Sequence, residues 1–87
     1  MKLNATAALN KYKAEWTTRY EVNSTVRKLN EKLVILRKTR IKELRNSKND
    51  TESAKIHSRY DDEIKFIDYL LYLINLDYYE IMGKLKR

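Results

Sequence analysis

The chain holds no proline and a single glycine, Gly83. Hairpin turns, phosphate-cradling loops and nucleophile elbows need residues that accept unusual backbone angles, and almost none are on offer here. Long helices joined by very few turns are the expected architecture. The apolar pattern agrees. Tyr60, Ile64, Ile67, Leu71, Ile74, Tyr78, Ile81 and Leu85 recur in alternating steps of four and three, the seam of a coiled coil or helical bundle. A second stripe runs through Val26, Leu29, Leu33, Leu36 and Leu44, and a third through Leu9, Tyr12, Trp16 and Tyr20.

These stripes predict helices over about 5–22, 24–46 and 51–85 within one helical domain spanning 1–87. Asn4 or Thr6 can cap the first, Ser24 the second, and Asp50 or Thr51 the third. The apolar stripe slips phase between Tyr20 and Val26, but no glycine or proline marks a break there. Continuity of the first two helices is left open. The polar segment 46–52, NSKNDTE, is the one clear linker. Folding the chain back near Lys48 and Asn49 pairs Val26 with Leu71, Leu29 with Ile67, Leu33 with Ile64 and Trp16 with Ile81. The expected fold is all-α: a long antiparallel helical hairpin, or a three-helix bundle if the first segment breaks away.

Several function classes fall away on composition. Without cysteine there is no disulfide framework or thiolate metal site, and one histidine is little material for zinc. No metal or cofactor is expected, nor any small-molecule substrate. No early apolar run resembles a signal peptide, and the longest apolar run, 69–74, is far short of a membrane span. The expectation is a soluble, cytoplasmic protein without membrane contact. With no pocket-forming loops and no paired nucleophile and base, it is not expected to be an enzyme.

Charge is the positive clue. The formal net charge is +7, and it is unevenly spread. Residues 26–48 carry nine basic and two acidic side chains, whereas 49–82 carry three basic and eight acidic. On a helical projection with Leu33 at zero, the leucine line stays within about 60°. Arg27, Lys28, Lys38, Lys42 and Arg45 lie more than about 110° away, on the far face. With Lys48 they form the candidate nucleic-acid-binding set, because a row of lysine and arginine gains affinity by releasing counterions from phosphates. The plainer alternative is a solvated face partly neutralised by the acidic helix, at little gain per exposed pair.

Arg37 and Arg40 fall on the core side instead, near Tyr60, Asp61 and His57. They read best as a structural polar cluster, Arg37, Arg40, His57 and Asp61, closing the loop end of the hairpin. A phosphate-binding or phosphodiester-cleaving role for His57 is the sharper and weaker alternative.

The stretch 65–82 is apolar almost all round. Ile67, Leu71 and Ile74 face one way, while Phe66, Tyr69, Leu70, Leu73 and Leu76 form a second apolar surface. One partner helix covers one face only, so that second surface is assigned to an oligomer or partner interface, a homodimer first. Burial by the first segment and base stacking by Tyr69, Tyr72 and Tyr79 are the alternatives. Tyr12, Tyr20, Tyr60 and Tyr78 read as seam residues with their hydroxyls at the edge.

The lysine-, asparagine- and tyrosine-rich style, small size and lack of catalytic motifs resemble accessory proteins encoded by bacteriophages. No motif carries that likeness, so it implies no site residues; it would set the protein in a host's cytoplasm. The reading is a small basic helical protein that binds RNA or DNA through phosphate contacts. Its rival is an inhibitor or adaptor docking on an acidic or nucleic-acid-binding surface of another protein.

Overall fold

The computed structural model describes residues 4–85. Those residues are all-helical, with no strand: α1 (Ala5–Glu15), α2 (Arg19–Arg45), α3 (Asp50–Leu76) and α4 (Tyr78–Lys84). α2 and α3 pack antiparallel through the short connection at 46–49, and α1 packs on α3 beside α2, sharing one core with both.

The interruption after α1 comes earlier than the phase slip suggested. It falls at Trp16 to Thr18, and α2 runs unbroken through Ser24. The cause is a capping box written in the sequence as Thr18-Arg19-Tyr20-Glu21. The Thr18 hydroxyl accepts from the Glu21 backbone N–H at 3.3 Å, and the Glu21 carboxylate accepts from the Thr18 backbone N–H at 3.1 Å. Two of the unpaired donors at the helix start are thereby satisfied. Thr17 adds its hydroxyl and backbone N–H to the same carboxylate oxygen. Trp16 then locks the reversal: its ring stacks on Tyr12 at 5.6 Å, and its indole N–H donates to Thr25 Oγ1 at 3.1 Å.

The reversal turns α1 antiparallel to α2. Lys13 Nζ reaches Asp77 Oδ2 at 3.0 Å, while Ala8 lies near Leu29, Phe66 and Leu70. Small residues at Ala5 and Ala8 allow this close approach. The upper core joins all four helices: Ala5, Leu9, Trp16, Val22, Leu70, Ile74 and Ile81. The lower core, Leu33, Ile64 and Ile67, is made by α2 and α3 alone.

Four further expectations change. The C-terminal helix is interrupted at Asp77 (φ −97°, ψ 9°), where Asp77 N–H still donates to Leu73 O at 3.2 Å. The seven-residue period continues across it, which is why the sequence pattern gave no sign of the break. Asn49, rather than Asp50 or Thr51, caps α3 by accepting from Glu52 N–H at 2.8 Å; Asn4 does cap α1. Tyr20 is exposed, because the break at 16–18 rotates α2 away from the stripe of α1.

The last change is one of register for most polar partners. Arg40–Asp61, Asn23–Tyr78 and Arg19 to the Met82 carbonyl each meet about one turn further along the C-terminal segment than the expected pairing, whereas Lys32–Glu63 meets slightly short of it. Helical side chains lean toward their own N-terminus, so antiparallel partners meet between levels rather than straight across. Apolar partners are less displaced, and Leu33 does share a cluster with Ile64.

The reversal has a pH signature. Hydrogen bonds from Thr17, then from Thr18 and the backbone, hold the Glu21 carboxyl below its usual 4.5, against an opposing effect of burial. A carboxylate whose pKa is depressed on folding adds stability above its unfolded value and loses it as pH falls through the folded one. Thr18→Ala should cost about 1 kcal/mol by urea unfolding at neutral pH. Glu21→Gln should also be less stable than wild type at neutral pH, and the gap should close as pH drops below 4.5.

Candidate nucleic-acid interface

Arg27, Lys28, Lys38, Lys42 and Arg45 all emerge on the solvent side of α2, and Lys48 follows in the connection to α3. All six are exposed, and among the described residues none makes an ion pair. From Lys28 it is seven residues to the exposed Ile35, and then steps of three, four and three lead to Lys38, Lys42 and Arg45, so all five share one side of the helix. The row runs about 25 Å along one helix at 1.5 Å per residue. Glu31 is the carboxylate that interrupts it.

The inner cations of α2 behave differently. Lys32 pairs with Glu63 at 3.0 Å, Arg37 with Asp68 at 3.2 Å and Arg40 with Asp61 at 2.8 Å. Neutralisation by the acidic helix is real, but it takes the cations that border α3 and leaves the outer row untouched. Geometry explains this: a carboxylate on α3 cannot reach around the α2 cylinder, which is about 10–12 Å across with its side chains.

The four residues assigned to one polar cluster are not gathered into one. Arg40 and Asp61 meet, Arg37 reaches Asp68 instead, and His57 is exposed with no hydrogen-bond partner among the described residues. At the same end, Glu43 Oε1 lies 3.6 Å from Arg59 Nη1, and its buried Oε2 has no hydrogen-bond partner among the described residues. The nearby Glu43 carboxylate lifts the Tyr60 phenol above its usual range, with burial adding to the effect. Neither Glu43 nor Tyr60 stood out as a pair in the sequence, since they meet only once the two helices are in register.

The residues assigned to an oligomer or partner interface also divide. Leu70 is 1% exposed in the upper core, and Phe66 and Leu73 pack against that core. Tyr69 and Leu76 remain exposed, joined by Tyr72 and by Tyr79 at 89% exposure. The steps from Tyr69 through Tyr72 and Leu76 to Tyr79 are three, four and three. That spacing was available in the sequence, but it was masked by the stronger buried seam beside it.

No helix among the described residues is long and apolar enough to cross a membrane. Comparison with protein-family models, with curated proteins and with solved structures finds no match.

The contrast at the loop end is testable. Arg40→Ala removes a half-buried pairing and the packing of its stem, and should lower stability by about 1 kcal/mol. His57→Ala should change it by less than about 0.5 kcal/mol, because no hydrogen bond or ion pair among the described residues holds the exposed ring. Thermal and urea unfolding of the two variants side by side check both values.

Proposed function

We propose that this protein is a non-enzymatic nucleic-acid binder that grips phosphates with the outer face of α2. The observation that carries the reading is the division of charge on one helix. Inner cations are matched by carboxylates of α3, while Arg27, Lys28, Lys38, Lys42, Arg45 and Lys48 are exposed and unmatched among the described residues. A polyanion is the ligand that suits such a row, and the overall +7 favours its approach. A straight ladder of charge on a rigid helix suits recognition of backbone and shape rather than base sequence. RNA and DNA both offer that chemistry.

In this reading α2 and α3 form a helical hairpin buttressed by α1, and the working form is a dimer joined through α3. A cytoplasmic setting goes with it, a host's cytoplasm if the chain is phage-encoded. The rival reading, an inhibitor or adaptor that docks on another protein, is favoured by the exposed tyrosines of α3.

Salt dependence decides between them. Binding to duplex DNA should weaken linearly in log–log form, with a slope of about 0.9 per neutralised phosphate, and about 0.7 on single strands. Replacing Lys38, Lys42 and Arg45 together with glutamine should flatten that slope by roughly 2–3 and weaken binding alike on all sequences. Stability should hold within about 0.5 kcal/mol, since the three side chains are exposed. Leu33→Ala is the contrasting control, expected to cost about 2–5 kcal/mol through lost burial and a cavity. If the triple variant binds RNA and DNA as wild type does at every salt concentration, the ladder is only a solvated face and the docking reading leads.

A further inference from the structure

We infer that Tyr69, Tyr72, Leu76 and Tyr79 form an antiparallel seam with the same four residues of a second copy of this chain. The inference rests on the dimer named above and is independent of the nucleic-acid contact. It begins with a surplus. The arc of α3 from Leu73 through Leu70 and Ile67 to Ile64 is spent on α1 and α2. Directly opposite, on the side turned from both neighbours, the four residues stand 52–89% exposed. Their three-four-three spacing is that of alternating a and d positions in a coiled coil. Tyr69 and Tyr72 already lie ring to ring at 6.0 Å, so the α3 half of the stripe presents a continuous surface rather than scattered rings.

A second copy fits this stripe because the stripe is self-complementary under a twofold axis. In an antiparallel pairing, a positions meet d positions: Tyr69 stacks on Tyr79, and Tyr72 on Leu76, in both directions at once. The next layer outward sets Lys65 of one copy against Gly83 of the other. Gly83 lies in α4 without a positive φ, and a Cβ there would meet nothing within 4 Å among the described residues. No described contact or backbone angle calls for a glycine at that point. Across the twofold, its missing side chain leaves room for the Lys65 stem, whose ammonium then lies one turn from Glu80. Both Lys65 and Glu80 are exposed, and Glu80, which pairs with Lys84 of its own chain at 3.2 Å, keeps a second carboxylate oxygen for a lysine of the other copy. A parallel pairing would instead set Lys65 on Lys65 and Glu80 on Glu80, which like charges oppose.

The size of the stripe sets the strength. At roughly 150–250 Å² per aromatic side chain, three half- to fully exposed tyrosines and a leucine offer on the order of 400–500 Å² per copy. That is about half the roughly 800 Å² per partner of a standard stable interface. Self-association should therefore be reversible and concentration-dependent across the micromolar range, rather than permanent.

Sedimentation velocity from low to high micromolar concentration tests this, with circular dichroism to verify that each variant is folded. Wild type should shift from monomer to dimer. Tyr72→Ala should abolish the shift, and Lys65→Glu or Glu80→Lys alone should each weaken it by roughly tenfold. An equimolar mixture of Lys65→Glu with Glu80→Lys should recover wild-type association, because every cross-pair in that heterodimer is again opposite in charge. A wild-type chain that stays monomeric at high micromolar concentration would overturn the dimer itself and leave the stripe to a different protein. A dimer indifferent to Tyr72→Ala would place the contact elsewhere on the molecule. Failure of the mixture to recover, with both single variants weakened, would overturn the antiparallel arrangement alone.

Discussion

The reversal between α1 and α2 is the constraint on which the rest of the molecule depends. Three residues, Trp16 to Thr18, decide whether the first eleven helical residues prolong α2 or turn back along α3. Turned back, they bring Ala5, Leu9 and Trp16 onto Leu70, Ile74 and Ile81 and close a core that α2 and α3 leave half open. Prolonged, they would have left that face of α3 bare. One threonine and one glutamate satisfy the donors of the new helix start, and one indole holds the two helices together. The interactions are individually modest, but without them the chain would have a different topology.

The same packing sorts the charges. α2 is a basic helix from Arg27 onward, yet its cations have two different environments according to their angle about the axis. Those that border α3 meet carboxylates and lose their reach toward anything outside. Those on the outer face keep it. The acidic character of α3 therefore screens the inner edge of α2 without cancelling its surface, and the protein can be both internally matched and strongly basic.

Most of the secondary structure could be read from the residues, because the absence of proline and the scarcity of glycine leave few alternatives to helix. The long apolar repeat of the C-terminal half located α3 and its buried side, and the leucine line of α2 separated core from solvent as the structure does. What escaped was decided by hydrogen bonds rather than by periodicity. Thr18 and Glu21 have the spacing of a capping box in the sequence, but the phase slip between Tyr20 and Val26 points to Ser24 instead. Phe66, Leu70 and Leu73 were visible as an apolar surplus, but only the direction of α1 could say what covers them. Arg37, Arg40, His57 and Asp61 shared a neighbourhood in projection, yet side-chain lean sent Arg37 to Asp68 and left His57 alone. The outer cations of α2 are exposed, but the residues alone do not show which of their neighbours are already paired.

Cover by α1 ends partway along α3. Above that level the core is three layers deep; below it, toward the connection at 46–49, Leu33, Ile64 and Ile67 are sheltered by a single pair of helices. A molecule 52 Å long and about 20 Å wide with such lopsided support does not have one uniform resistance to opening. Its loop end has fewer apolar contacts to break and more backbone near water, so amide exchange and proteolytic nicking should begin there and advance toward Trp16. The outer cations Lys38, Lys42 and Arg45 ride on that more yielding half, whereas the exposed tyrosines sit on the firmer one.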